Sequence, residues 1–193
     1  MKIIVWNSQD KCVADYHKLI RGCDVLCLLD CGQWTVPVYA LQIQNGLFHW
    51  KDEHEGLSYD IFYCLEKVAF ICRDGLYSGE SVLYSIHSNI GSLVGIRLQD
   101  DFWLFANHES NRSNACHIGE FYLREISDRF RKAAFVADFK EKSYSWAQET
   151  IGGLYCIAPP KGYHPHTINY LFTIHVALSL IHISEPTRPE PIS

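Results

Sequence analysis

Four short apolar runs in this chain each end in a residue that can do chemistry. Lys2–Trp6 leads to Asn7, Asp24–Leu29 to Asp30, Phe102–Ala106 to Asn107-His108, and Ala133–Ala137 to Asp138. Imidazole and carboxylate groups brought together pass protons and hold cations near neutral pH. Chemistry of that kind requires the ends of the runs to meet, so the elements between them decide the matter.

Between Phe102 and Lys140 the chain reads as strand, helix, strand. Ile118, Tyr122, Ile126 and Phe130 recur every fourth residue, and Phe121 and Leu123 widen the stripe, which predicts an amphipathic helix. Ser113 or Asn114 can cap its first turn, where a short side-chain oxygen satisfies orphan amides. The flanking runs are short, apolar and rich in aromatic or β-branched residues, as buried strands are. Such a unit returns its second strand parallel to the first, so His108 and Asp138 are expected at one rim of a sheet. The N-terminal stretch repeats the pattern. Ser8 caps a predicted helix from about Gln9 to Arg21, Val13, Tyr16 and Ile20 form its buried face, and Gly22 stops it. Asn7 and Asp30 are therefore also expected at a shared rim.

The middle of the chain changes character. Thr35–Gln44, Ser58–Glu66, Val68–Arg73, Ser81–Ser88, Leu93–Leu98 and Phe102–Asn107 are strand-like and closely spaced. Asn45-Gly46 and Asp74-Gly75 mark turns, and Gln99-Asp100-Asp101 reads as a hairpin connection. Leu154–Ile157 and Thr167–Ile174 add two late strands. Parallel units interrupted by antiparallel meanders predict an α+β protein of two packed sheets with helices outside.

Composition sets the bounds. A chain of 193 residues supports one domain with a sizeable core, and 48% hydrophobic with 20% charged residues is a globular composition. The formal charge of −5 argues against wholesale wrapping of nucleic acid, though not against gripping a few phosphates in one cleft. Met1 runs straight into strand-like KIIVW, with no signal-peptide pattern, and no uncharged apolar run reaches the roughly 18 residues of a spanning helix. Eight cysteines lie mostly inside apolar runs, which points to free buried thiols and a reducing compartment. Cys23, Cys27 and Cys31 have C-x3-C-x3-C spacing. On a strand that step spans about 13 Å, too far for one ion. The His164-x-His166 pair is expected in a Pro-bearing loop, and Trp6, Trp34, Trp50, Trp103 and Trp146 as core aromatics.

The pieces around the four rim residues, taken in order, resemble the endonuclease/exonuclease/phosphatase superfamily. Within it, the chain looks most like the B subunits of cytolethal distending toxins, relatives of pancreatic deoxyribonuclease. KIIVWNSQ is similar to the family's strand-plus-W-N opening. DVLCLLDCG is similar to D-I-L-x-x-Q-E-A-G, with Leu29 for the glutamine and Asp30 for the glutamate. SYDIFYCLEKVAFICRD resembles its paired middle strands, LVGIRLQDDFWLFANHE its V-G-I-R hairpin, VADFK its G-D-F-N, and TINYLFTI its late I-D-Y-x-F strand. The resemblance implies a four-layer α/β/β/α sandwich over residues 1–177, C-terminally truncated. It implies Mg²⁺-dependent hydrolysis of DNA or another phosphoester, with partner subunits if the chain acts as a toxin. In that reading Asp30 holds the metal with Asn7 beside it. Asp138 orients or deprotonates the attacking water, His108 stabilises phosphate or protonates the leaving oxygen, and Lys140 and Arg97 contact substrate. Mg²⁺ suits such a set, since it takes hard oxygen ligands and keeps several waters.

The departures are equally definite. Lys140 replaces the G-D-F-N asparagine, Gly91-Ser92 replaces an R-P pair whose arginine meets phosphate, and Asn169 replaces the I-D-Y aspartate. The closing S-D-H motif, which supplies a catalytic histidine, is absent from the sequence. These losses support an alternative in which the sandwich serves as a pseudoenzyme or binding module. A phosphatase acting on phosphoinositide is a further rival, because fold does not decide substrate. LSLIHISEPTR, Leu178–Arg188, back-translates to the string of a transposase adapter used in sequencing libraries. Residues 178–193 are therefore expected to be a non-native tail.

Overall fold

The computed structural model describes residues 1–7, 20–31, 37, 39–44, 46–52, 55–64, 67–87, 91–107, 121, 125–126, 129–130, 132–138, 155–157 and 169–173. These build two six-stranded mixed sheets. The first runs in the order β1-β2-β6-β5-β4-β3. Its strands are β1 (Ile3–Asn7), β2 (Val25–Leu29), β3 (Leu41–Gln44), β4 (Leu47–Lys51), β5 (Ser58–Cys64) and β6 (Val68–Arg73). The second runs β11-β12-β10-β9-β8-β7. It holds β7 (Tyr77–His87), β8 (Gly91–Leu98), β9 (Phe102–Asn107), β10 (Ala133–Asp138), β11 (Tyr155–Ile157) and β12 (Asn169–Thr173).

Alternation along each strand makes the sandwich. Val25, Cys27 and Leu29 of β2 join Phe70 and Cys72 of β6 and Leu104, Ala106 and Val136 of the second sheet in one core between the sheets. Leu26 and Leu28 point the other way, into a second cluster with Ile20, Trp50, Tyr59 and Ile71 on the outer face of the first sheet. Strand β2 is thus buried on both faces, which is why VLCLL reads as a continuous apolar run. The same holds for β9, whose Trp103 and Phe105 meet Phe130 at 4.7 Å and 5.2 Å on the outer face of the second sheet. Ile126 beside them is fully buried. The two predicted helices are described only at Ile20–Arg21, at Phe121 and Glu125–Ile126, and at Arg129–Phe130, where the chain has left the helix; their other residues lie outside the described set.

Several expectations hold and two change. β1 and β2 are parallel, as are β9 and β10, in the registers a strand–helix–strand unit demands. Gly46, at φ 76°, makes the Asn45-Gly46 turn, where a side chain would approach the Tyr63 carbonyl to 2.8 Å. Of the expected strand Thr35–Gln44, Leu41–Gln44 forms β3, Pro37, Tyr39 and Ala40 lie outside it, and Thr35, Val36 and Val38 fall outside the described residues; β4, LFHWK, is a strand that sequence patterning did not single out. Cys27 lies in the core between the sheets while Cys23 and Cys31 lie in the outer cluster. The C-x3-C-x3-C thiols are split across two faces, and Cys23, Cys27, Cys31 and Cys72 are buried thiols outside any disulfide.

Candidate functional site

Strand direction determines which ends of the two sheets coincide. β6 is antiparallel to β2, with Val68 opposite Leu29 and Cys72 opposite Val25. It therefore starts at the Asp30 end and finishes at Arg73 at the other end. Residues 74–76 then cross directly into the second sheet, where β7 begins with Tyr77 opposite Leu98, itself opposite Phe102 at the start of β9. The crossing is bonded to both sheets. Asp74 N–H donates to the Ser58 carbonyl at 2.9 Å, Leu76 N–H to Arg73 at 3.0 Å, and Gln99 N–H to the Leu76 carbonyl at 2.9 Å. The Gln99 side-chain amide also donates to the Gly75 carbonyl. With their far ends pinned together, β2 and β9 run the same way. The C-terminal ends of β1, β2, β9 and β10 consequently lie at one end of the sandwich.

At that end, Asn7 is in register with Leu29, so Asp30 follows one residue beyond. Asp30 is half-buried and holds φ 52°, a left-handed conformation that Asp and Asn tolerate better than other side-chain-bearing residues. The Cys31 N–H after it donates to the Lys67 carbonyl at 3.3 Å, which ties the turn to the start of β6. On the second sheet Ala137 is in register with Asn107, so Asp138 follows one residue beyond that pair. Asp138 pairs in turn with Asn169. Two positions of the motif resemblance, the aspartate of VADFK and the asparagine that replaces the I-D-Y aspartate, are thus direct cross-strand partners. Asn107 is buried, 3% exposed, at the same edge. Asn7 and Asp138 are described through their backbones, and His108 and Lys140 lie outside the described residues.

Arg97 is set apart from this edge. It is in register with Trp103, near the start of β9 and so about 13 Å of strand from Asn107. It is ion-paired with Glu80 and, through Nε at 3.0 Å, with Asp101. The Glu80 hydrogen bond leads the causes that raise its pKa, which leaves it a structural cation at the opposite end. The resemblance implied a substrate contact for Arg97, and in the structure its guanidinium is engaged by Glu80 and Asp101.

One chemically suggestive group escaped sequence reasoning. His49, Asp60 and Asp74 bring ligand atoms within 4.8 Å of one another. His49 Nδ1 lies 3.0 Å from Asp60 Oδ1. The three residues share no motif and are separated by β4, β5 and β6. Only the register of β4 on β5, which sets His49 opposite Asp60, reveals them.

No protein-family model matches the sequence, and no curated protein matches it. Among solved structures, the endonuclease domain of TRAS1, a telomere-specific non-LTR retrotransposon, matches at 14% identity and TM-score 0.49, over 89% of this chain and 84% of that one. Truncated Caenorhabditis elegans TDP2 matches at 12% identity and TM-score 0.48, over 89% of this chain and 82% of that one. An endonuclease/exonuclease/phosphatase from Beutenbergia cavernae matches at 12% identity and TM-score 0.48, over 88% of this chain and 63% of that one. Among the described residues, no helix is long and apolar enough to cross a membrane.

Proposed function

We propose that the chain is a divergent, metal-dependent phosphoester hydrolase of the endonuclease/exonuclease/phosphatase type, with its reaction centre at the shared end of β1, β2, β9 and β10. The observation that carries this reading is topological. Two parallel strand pairs from different sheets finish at the same end, closed by Asn7, Asp30, Asn107 and Asp138, with His108 next in the sequence after Asn107. Asp30 and Asn7 supply hard oxygen donors of the kind Mg²⁺ accepts. The ion, when bound, offsets charge on the phosphoryl oxygens. Asp138 holds and deprotonates the attacking water, and His108 protonates the leaving oxygen or stabilises the phosphate. Lys140, two residues beyond Asp138, gives a point charge for phosphate. In the full reading, helices on both outer faces complete a four-layer sandwich, and DNA is the first substrate to test. Partner subunits would accompany a toxin-type role.

A second reading, a binding module on the same fold, is favoured by particular residues. Gly91-Ser92 stand where the family carries its phosphate-binding arginine, and Arg97 is engaged by Glu80 and Asp101. Plasmid nicking and phosphoinositide phosphate release, each with and without Mg²⁺, separate the readings. Hydrolysis that requires Mg²⁺ and is abolished in His108→Ala and Asp138→Asn supports the enzyme. Folded protein that binds DNA without cleaving it supports the module. Cleavage untouched by both substitutions refutes the site.

A further inference from the structure

We propose that His49, Asp60 and Asp74 form a second metal site, for a divalent transition ion such as Zn²⁺, at the end of the sandwich opposite the reaction centre. The donors come from three places: β4, β5 and the turn that crosses between the sheets. His49 and Asp60 face each other in register, with Nδ1 and Oδ1 at 3.0 Å. All three ligand atoms lie within 4.8 Å of one another. Zinc holds nitrogen and oxygen ligands at about 2.0–2.2 Å, which puts tetrahedral donors about 3.4 Å apart. The His49–Asp60 pair is already near that separation. Asp74 is exposed on its turn, and a swing of roughly 1 Å brings its carboxylate in to the same distance.

Charge and burial point the same way. Asp60 is only 17% exposed, yet among the described residues neither it nor Asp74 has a lysine or arginine partner. Two carboxylates close together without a fixed cation repel, and a divalent ion removes that cost. The Tyr77 hydroxyl, on the first residue of β7, is sealed from solvent. One imidazole with two carboxylates suits Zn²⁺ better than Mg²⁺, which prefers oxygen alone. A three-ligand site leaves one position for water. An ion there would clamp the start of the crossing turn to β4 and β5 of the first sheet.

The test is titration of the full chain with ZnCl2, followed by thermal unfolding, and with CoCl2, followed by visible absorption. The expected result is one-to-one uptake, cobalt absorption bands of a low-coordinate N/O site, and a melting temperature raised by about 5–10 °C when Zn²⁺ stands at one hundred times its Kd. His49→Ala and Asp74→Asn each abolish the bands and the shift, while Asp30→Asn retains both. Asp74→Asn keeps the test sharp if His49→Ala fails to fold, because position 74 is exposed. Absence of uptake overturns the proposal. So does uptake unchanged by Asp74→Asn, or uptake lost in Asp30→Asn, which would put the ion at the reaction centre.

Discussion

If the proposed reaction centre is correct, Asp30 is the residue at which activity and stability can be tested apart. Its φ of 52° is one that asparagine also adopts, so Asp30→Asn removes charge without straining the turn. The expected outcome is a urea midpoint within about 0.5 kcal/mol of wild type, with Mg²⁺-dependent hydrolysis down on the order of 100-fold. The buried thiols make a prediction in pH. Burial pushes Cys23 up to about 12, and burial likewise raises Cys27 and Cys72. In the unfolded chain thiols titrate near about 8.5. The folded state therefore keeps protons that the unfolded state gives up. Stability is fully present below about pH 8.5 and falls as pH rises toward 12, by about 1.4 kcal/mol per unit for each thiol. Urea unfolding at pH 8, 9 and 10 measures the slope, and Cys23→Ala should reduce it. The same burial should keep these thiols unreactive to alkylating reagents until the protein unfolds.

At the scale of elements, β8 and β9 show what local packing demands. Gly95 lies opposite Phe105, and a Cβ there would sit 2.4 Å from the Phe105 ring. That ring is fully buried and held between Trp103 at 5.9 Å and Phe130 at 5.2 Å, so it has nowhere to move. Gly95→Ala is expected to cost about 1–3 kcal/mol by overpacking, read as a lowered denaturant midpoint. The glycine in V-G-I-R is thus a packing requirement. Much of this level could be read from the sequence. β2, β6 and β9 are buried on both faces and announce themselves as unbroken apolar runs, and the two parallel pairs follow from the helical stripes between them. β4 was hidden because its five residues lie among polar neighbours, Asn45-Gly46 before and Asp52 to Glu55 after. The antiparallel pairing of β6 on β2 was also out of reach, since no local pattern says which of several apolar strands will be neighbours. That pairing joins the meander to the opening unit. It also decides that the Asn7–Asp30 edge and the Asn107–Asp138 edge coincide, whereas the His49 cluster depends on the register of β4 on β5. Candidate residues were therefore visible one by one, whereas their convergence, and the separation of Arg97 from them, needed the sheet order.

At the scale of the molecule, the first sheet ends in an edge strand with an apolar surface. Tyr39, Leu41 and Ile43 are 84%, 69% and 57% exposed on or beside β3. Uncharged edges of this kind template pairing with other chains, and the register shift between Gln42 and Gln44 blunts this one only in part. Concentration-dependent association is expected in sedimentation or light scattering. Ile43→Lys should suppress it while leaving the melting temperature nearly unchanged.

The crossing at 74–76 has a further consequence for how such a protein can diversify. Because a span that short fixes the angle and height of one sheet against the other, drift in the opposite loops leaves their anchoring strands aligned. Lengthening or reshaping the segments after Asn7, Asp30, Asn107 and Asp138 would alter what the molecule grips without loosening the frame that grips it. Extending the crossing itself would let the two layers slide, and every pair of residues facing across the seam would lose its partner at once.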